Sequence, residues 1–368
     1  MDRFSLIIKI TDQCNLHCPY CYYYAGDAAS LRTRKHRDVG LKLERLVTAI
    51  TESEKIMEAE QLLLVLHGGE PLLLPKPVVE RFLADLRERL GSRPDITLQT
   101  NGVLVDEEWV RIFSRYKVGV GVSIDGPAWK HDEFRIHANG SGSHAEAVRG
   151  YRLLKDASDR GELDAPGLLA VYDPAVSARE YFDLFVGELG ADLYDLLFPD
   201  DLERFPNVPE VVQAFNRTVA ETWRLWAEKD DPQLAIRFIS GALSSWYNQR
   251  PHLDNPEATS ALVADMAGDV FFEDDLRPAL SLETLKVGSW MVEGFDALID
   301  RSFEQMSGLR DYHADCRSCE FLGACRGGQF AFRVDPVTRV FGKSVLCDVY
   351  KTGFSNARNL IEKLQRAA

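Results

Sequence analysis

Six times between residues 4 and 198 a short apolar run gives way to a polar or glycine-rich turn and then to a helical stretch. The apolar runs cover 4–10, 61–66, 95–99, 118–124, 167–171 and 192–198. Helical periodicity follows over 41–57, 77–90, the stretch before 118, 144–157, 178–188 and 206–248. Strands that alternate with helices predict a parallel sheet. The run Gln61-Leu62-Leu63-Leu64-Val65-Leu66 is almost continuously apolar and predicts a strand buried on both faces. In barrel-like parallel sheets, chemistry gathers at the C-terminal ends of the strands. Four strand ends carry distinctive residues. The first leads into a cysteine loop and the second into His67-Gly68-Gly69-Glu70-Pro71. The third leads into Thr100-Asn101-Gly102 and the fourth into Asp125-Gly126-Pro127.

The cysteine loop, TDQCNLHCPYCYYY, places Cys14, Cys18 and Cys21 in a C-x3-C-x2-C spacing. A closed structural metal site takes four ligands. Three thiolates in one tight loop, with only His17 between them, hold three corners of a four-iron cluster and leave the fourth iron open. A zinc knuckle is the alternative, but His17 lies inside the loop and is badly placed as a fourth ligand.

This spacing, with the aromatic Tyr20 before the last cysteine, resembles the signature of radical S-adenosylmethionine (SAM) enzymes. The resemblance spans nearly the whole chain. It implies a partial (β/α)6 TIM-like barrel in an α/β fold, a SAM-binding [4Fe–4S] cluster on Cys14, Cys18 and Cys21, and SAM on the open iron. Gly68, Gly69 and Glu70 then correspond to the family segment that binds the methionine amino group. Glycines let a ligand approach the backbone, and a carboxylate can hold an ammonium. The resemblance also implies SAM contacts from Ser123 and Arg135. Asn101 joins that set while shaping its loop with Asp125. Asn-Gly and Asp-Gly-Pro are also ordinary turn sequences.

A second group, Cys316, Cys319, Cys325 and Cys347, lies near the C-terminus. Read alone, it suits a structural zinc site or an iron–sulfur cluster equally. Beside a radical SAM core, CRSCEFLGACRGGQFAFR…SVLC resembles the SPASM extension, which carries auxiliary clusters. The pattern departs from a full SPASM domain. Gln329 and Glu273 stand where further cysteines are expected, so one auxiliary cluster is lost and one auxiliary [4Fe–4S] cluster remains. Glu273 stays a secondary candidate ligand. The seven cysteines divide as three plus four.

The expected organisation is a radical SAM barrel over 1–215, a helical bridge over 216–255 and a SPASM-like domain over 256–368. The last contains a hairpin around Gly268-Asp269 and a closing amphipathic helix over 349–366. A net charge of −14 disfavours nucleic acid and anionic membranes. No long apolar run or signal segment is present in the sequence, so a cytoplasmic enzyme is expected, with no nucleic-acid or membrane partner.

By resemblance, the chain is a maturase of a ribosomally made precursor peptide. It cleaves SAM reductively to a 5′-deoxyadenosyl radical that takes a substrate Cβ hydrogen. A closed auxiliary cluster suits outer-sphere electron transfer, so the expected product is an oxidative C–C (cyclophane) crosslink between an aromatic residue and another side chain. Its partners are the precursor peptide and an external one-electron reductant of the flavodoxin or ferredoxin type. No separate leader-binding domain is visible in the sequence, so the leader is expected to bind the core or a partner protein. The alternatives are a sulfatase-type (formylglycine) maturase or a thioether-forming or epimerising peptide enzyme. From another class stands a zinc-stabilised, non-catalytic binding protein.

Overall fold

The computed structural model describes residues 3–248, 260–273, 275–307, 311–334 and 341–367. Its strands are β1 (Arg3–Thr11), β2 (Gln61–Gly68), β3 (Pro94–Thr100), β4 (Val118–Ser123), β5 (Gly167–Val171), β6 (Leu193–Leu197), β7 (Ala235–Ile236), β8 (Ser260–Asp265), β9 (Asp269–Phe271) and β10 (Lys286–Ser289). The chain forms two compact units. One holds the described residues of Met1–Ile124, His131–Pro166 and Ser260–Leu309. The other holds those of Asp125–Lys130, Gly167–Thr259 and Arg310–Ala368.

In the first unit β1 to β4 pair in parallel and in sequence order. Leu6 sits opposite Leu64, Leu64 opposite Ile96, and Ile96 opposite Val118. β8 adds to the free edge of β1, also in parallel, with Leu6 opposite Leu262. β9 and β10 extend that edge antiparallel. The hairpin expected around Gly268 forms, and its first strand is also a sheet neighbour of β1. Residues 260–307 thus pack with the N-terminal strands, whereas the sequence reading set a boundary at 256.

Helical spacing explains how the sheet is covered. Leu43, Leu46, Val47 and Ile50 share the buried face of helix Val39–Glu52. The helix expected over 41–57 breaks at Ser53, whose side chain caps Glu54–Glu58 by accepting from the Ile56 amide at 3.2 Å. β2 corrects another expectation. Leu62, Leu64 and Leu66 are buried, but Leu63, Val65 and His67 are only half-buried. In register, that second face also carries Ile7, Lys9 and Thr97. It is the partly polar face of the sheet.

In the second unit β5, β6 and β7 pair in parallel. Helices Val208–Lys229, Arg237–Asn248 and Cys347–Ala367 supply the rest of its core. Aromatic contacts join them. Tyr172 meets Phe215 at 4.8 Å between ring centroids, Trp246 meets Phe321 at 5.5 Å, and Phe321 stacks on Phe354 at 5.9 Å.

Candidate active site

β1 ends at Thr11, and the backbone of the next residues is held by the end of β2. The Gly69 amide donates to the Thr11 carbonyl and the Glu70 amide to the Gln13 carbonyl, both at 2.8 Å. Only glycine fits here. A Cβ on Gly68 (φ +134°) would lie 2.2 Å from the Thr11 oxygen, and one on Gly69 2.2 Å from the Gln13 oxygen. The glycine pair therefore lets two strand ends approach backbone to backbone.

The three cysteines of the loop lie within electrostatic reach of one another. Cys18 is buried. Burial pushes the Cys14 thiol up to about 12, and burial likewise raises Cys21, opposed by the nearby Arg32 and Arg135 guanidiniums. The free Cys14 and Cys21 thiols stay protonated at neutral pH, so metal binding there has to release protons. Arg32 fastens the loop by donating to the Leu16 carbonyl at 3.1 Å and the Cys18 carbonyl at 3.4 Å, with its guanidinium 4.0 Å from the Tyr24 ring centre. On the other side His17 donates its amide to the Ile136 carbonyl at 2.7 Å. The Arg135 guanidinium sits 5.7 Å from the Tyr20 ring centre.

Glu70 is 1% exposed. Its carboxylate accepts from the Thr100 hydroxyl at 2.8 Å, the Leu72 amide at 3.0 Å and the Asn101 amide at 2.8 Å. Burial pushes its pKa up to about 7 against those hydrogen bonds. A carboxylate has about four acceptor positions, so one stays available to a ligand. Asn101 donates from its side chain to Asn15 at 2.8 Å and reaches the Cys14 sulfur at 3.9 Å. The Ser123 hydroxyl accepts from the Gln99 side-chain amide (Nε2) at 2.9 Å. Asp125 serves its loop, accepting from the Val171 amide at 2.9 Å. Glu70 and Asn101 are thus brought to the cysteine loop, and Arg135 faces both Cys21 and Glu70 electrostatically.

In the second unit Cys316, Cys319, Cys325 and Cys347 line one cavity, together with Lys343, Tyr350 and Phe354. Burial pushes Cys325 up to about 12, and the three other thiols add to the rise. Arg326, Gly327 and Gly328 all have positive φ, turning the chain sharply after Cys325. A Cβ on Gly328 would meet the Tyr350 ring at 2.3 Å. Glu273 lies in the first unit, just after β9.

Sequence reasoning missed the polar residues that brace the loop: Asp12, Arg32, Arg34, His36 and Arg277. The tyrosine run after Cys21 was the available signal. Tyr23 and Tyr24 are buried rather than presented to a ligand.

Residues 8–165 match the family model described as the radical SAM superfamily. An uncharacterized protein of Archaeoglobus fulgidus is 30% identical over 377 residues, covering 99% of this chain and 83% of its own. This chain belongs to the radical SAM superfamily. A serine-type anaerobic sulfatase-maturating enzyme of Bacteroides thetaiotaomicron is 25% identical over 352 residues, covering 88% of this chain and 81% of that enzyme. A cysteine-type enzyme of Clostridium perfringens is 28% identical over 374 residues, covering 97% of each. The solved structure of native anSMEcpe with bound AdoMet and Cp18Cys peptide matches with a TM-score of 0.82 and 21% identity, covering 100% of both chains. That likeness gives the fold, the radical SAM partial-barrel parallel sheet followed by a cysteine-bearing C-terminal region.

The chain is therefore a radical SAM enzyme with SAM and [4Fe–4S] chemistry, and the zinc-stabilised binding scaffold falls away. The residues present fit those cofactors. Three cysteines, Cys18 buried and Cys14 and Cys21 half-buried, gather in one loop beside a carboxylate with an acceptor position left. Among the described residues no helix is long and apolar enough to cross a membrane.

Proposed function

We propose that this radical SAM enzyme is a maturase of a ribosomally made peptide, and that it closes an oxidative C–C crosslink between an aromatic residue and another side chain. The observation that carries this reading is the division of its seven cysteines into a loop of three and a cavity lined by four. Cys14, Cys18 and Cys21 hold the cluster with the open iron. Cys316, Cys319, Cys325 and Cys347 hold a closed one. When bound, these groups supply reductive SAM cleavage, hydrogen-atom abstraction and an acceptor for the second electron.

The chain's own residues bind and orient. Glu70 offers its remaining acceptor position to the methionine ammonium. Gly68 and Gly69 let the strand ends close up and hold Glu70 at the cysteine loop, and Asn101, Ser123, Arg135 and Tyr20 complete the SAM contacts. The buried surroundings of the loop exclude water. An external flavodoxin- or ferredoxin-type reductant, in the cytoplasm, supplies the first electron.

A second reading has an observation of its own. The relatives named above as sulfatase-maturating enzymes match over almost the full chain. On that reading, a peptide Ser or Cys becomes formylglycine.

Two measurements test the proposal. Anaerobically purified protein should carry about eight irons per chain with matching sulfide. Zinc without sulfide would overturn the assignment of both cysteine groups. Co-expression with a short peptide encoded beside the gene should give a product lighter by two hydrogens per crosslink and inert to hydroxylamine. A hydroxylamine-reactive aldehyde would establish the formylglycine reading instead.

A further inference from the structure

Asp12 stands two residues before Cys14, in the turn that leaves β1. Its carboxylate is 0% exposed. Tyr23, Arg34 and His36 all converge on it. The Tyr23 hydroxyl donates to one carboxylate oxygen. Arg34 Nε donates to the other, and His36 Nε2 lies 2.6 Å from it. The Tyr24 hydroxyl donates to the Asp12 backbone carbonyl at 2.7 Å.

Tyr23 and Tyr24 are the second and third residues after Cys21. The Tyr24 backbone amide donates to the Cys21 carbonyl at 3.1 Å. One residue ahead of the first cysteine is therefore tied to the two that follow the last, and the cysteine segment is closed into a ring by side chains. The ring is anchored further within the same unit. Arg34 Nη2 donates to Asp265, at the end of β8, at 2.7 Å. Arg277 covers the Tyr23 ring at 4.5 Å and donates to the Tyr23 carbonyl at 3.2 Å.

We propose that Asp12 is a positioning residue for the cluster site. Acting through Tyr23 and Tyr24, it fixes the Cys14 and Cys21 ends of the loop before iron arrives. The inference rests on Cys14, Cys18 and Cys21 being the cluster ligands. Without the latch the two ends part and the loop opens more readily.

The test is a double variant, Tyr23→Phe with Tyr24→Phe. It removes both hydroxyls, changes no charge and keeps both rings in the core. In the anaerobically reconstituted protein, a chelator should strip iron from the N-terminal site about fivefold faster, with the C-terminal site unchanged. Native stripping rates at the N-terminal site would overturn the proposal, whatever the melting temperature. A second pair covers folding failure. Asp12→Asn keeps an acceptor for Tyr23 and should strip more slowly than Asp12→Ala; equal behaviour of the two would also overturn it. The ligand assignment is checked apart from this. The SAM-responsive electron paramagnetic resonance signal should vanish in Cys14→Ala, Cys18→Ala, Cys21→Ala, and its survival there would sink the ligand reading instead.

Discussion

The Asn101 backbone amide donates to Glu70 at 2.8 Å while the Asn101 side chain reaches toward the Cys14 sulfur at 3.9 Å. One asparagine after β3 thereby joins the carboxylate after β2 to the cysteine loop after β1. Three strand ends become a single surface, and what disturbs one of them is felt at the others.

Replacing Cys14, Cys18 and Cys21 together with alanine should abolish formation of 5′-deoxyadenosine, measured by chromatography after incubation with SAM and dithionite. No other residue in the first unit is proposed as a ligand for that cluster, so no residual cleavage is expected. Continued 5′-deoxyadenosine production would refute the core assignment.

Cys347→Ala should separate two readouts. Cys347 opens helix Cys347–Ala367 and lines the cavity of the second unit. SAM cleavage should persist while peptide product falls at least about tenfold, because the second electron has lost its acceptor. Equal loss of both would mean the second site only supports the fold.

Glu70 predicts a pH dependence of the cofactor-free protein. Its folded pKa, about 7, is raised above its ordinary 4.5 chiefly by burial. A raised carboxyl pKa means the folded state binds the proton more tightly. This contribution is fully present below pH 4.5 and is lost as pH rises through 7. The loss is roughly 3 kcal/mol. Thermal melts of the apo protein from pH 5 to 8 should show the decline, and Glu70→Gln should flatten it. A variant that keeps the native slope would place the effect elsewhere.

Gly69→Ala should destabilise the apo protein by about 2–4 kcal/mol, read from denaturant unfolding. The added methyl would meet the Gln13 carbonyl at 2.2 Å and the Tyr24 hydroxyl at 2.4 Å. A melt unchanged from native would show that the two strand ends can part without cost.

The strands and both cysteine groups were legible because periodicity and spacing are local properties. Gln61–Gly68 and Gly167–Val171 announce themselves by composition, and C-x3-C-x2-C by its short loop. The parallel pairing of β8 with β1 was not legible. Phe4 opposite Ser260 is a long-range choice that no window of sequence contains. The Asp12 contacts escaped for the same reason. An aspartate after a strand reads as turn chemistry until Arg34, His36 and Asp265 are seen around it. The half-exposed face of β2 was misread because its leucines carry no mark of which neighbour covers them.

The place of β8 beside β1 also imposes an order of events during synthesis. β1 and its cysteine loop leave the ribosome first, and β2 can pair with one edge soon afterwards. The other edge of β1, and the Asp265 carboxylate that anchors Arg34, come only after residue 265 has emerged. Until then the nascent chain displays three thiols on a half-supported loop beside an open strand edge, a form prone to mispairing and oxidation. On the proposed ligand assignment, iron delivered before that moment would meet an unfinished cradle, so productive loading of the N-terminal site waits until residue 265 has emerged.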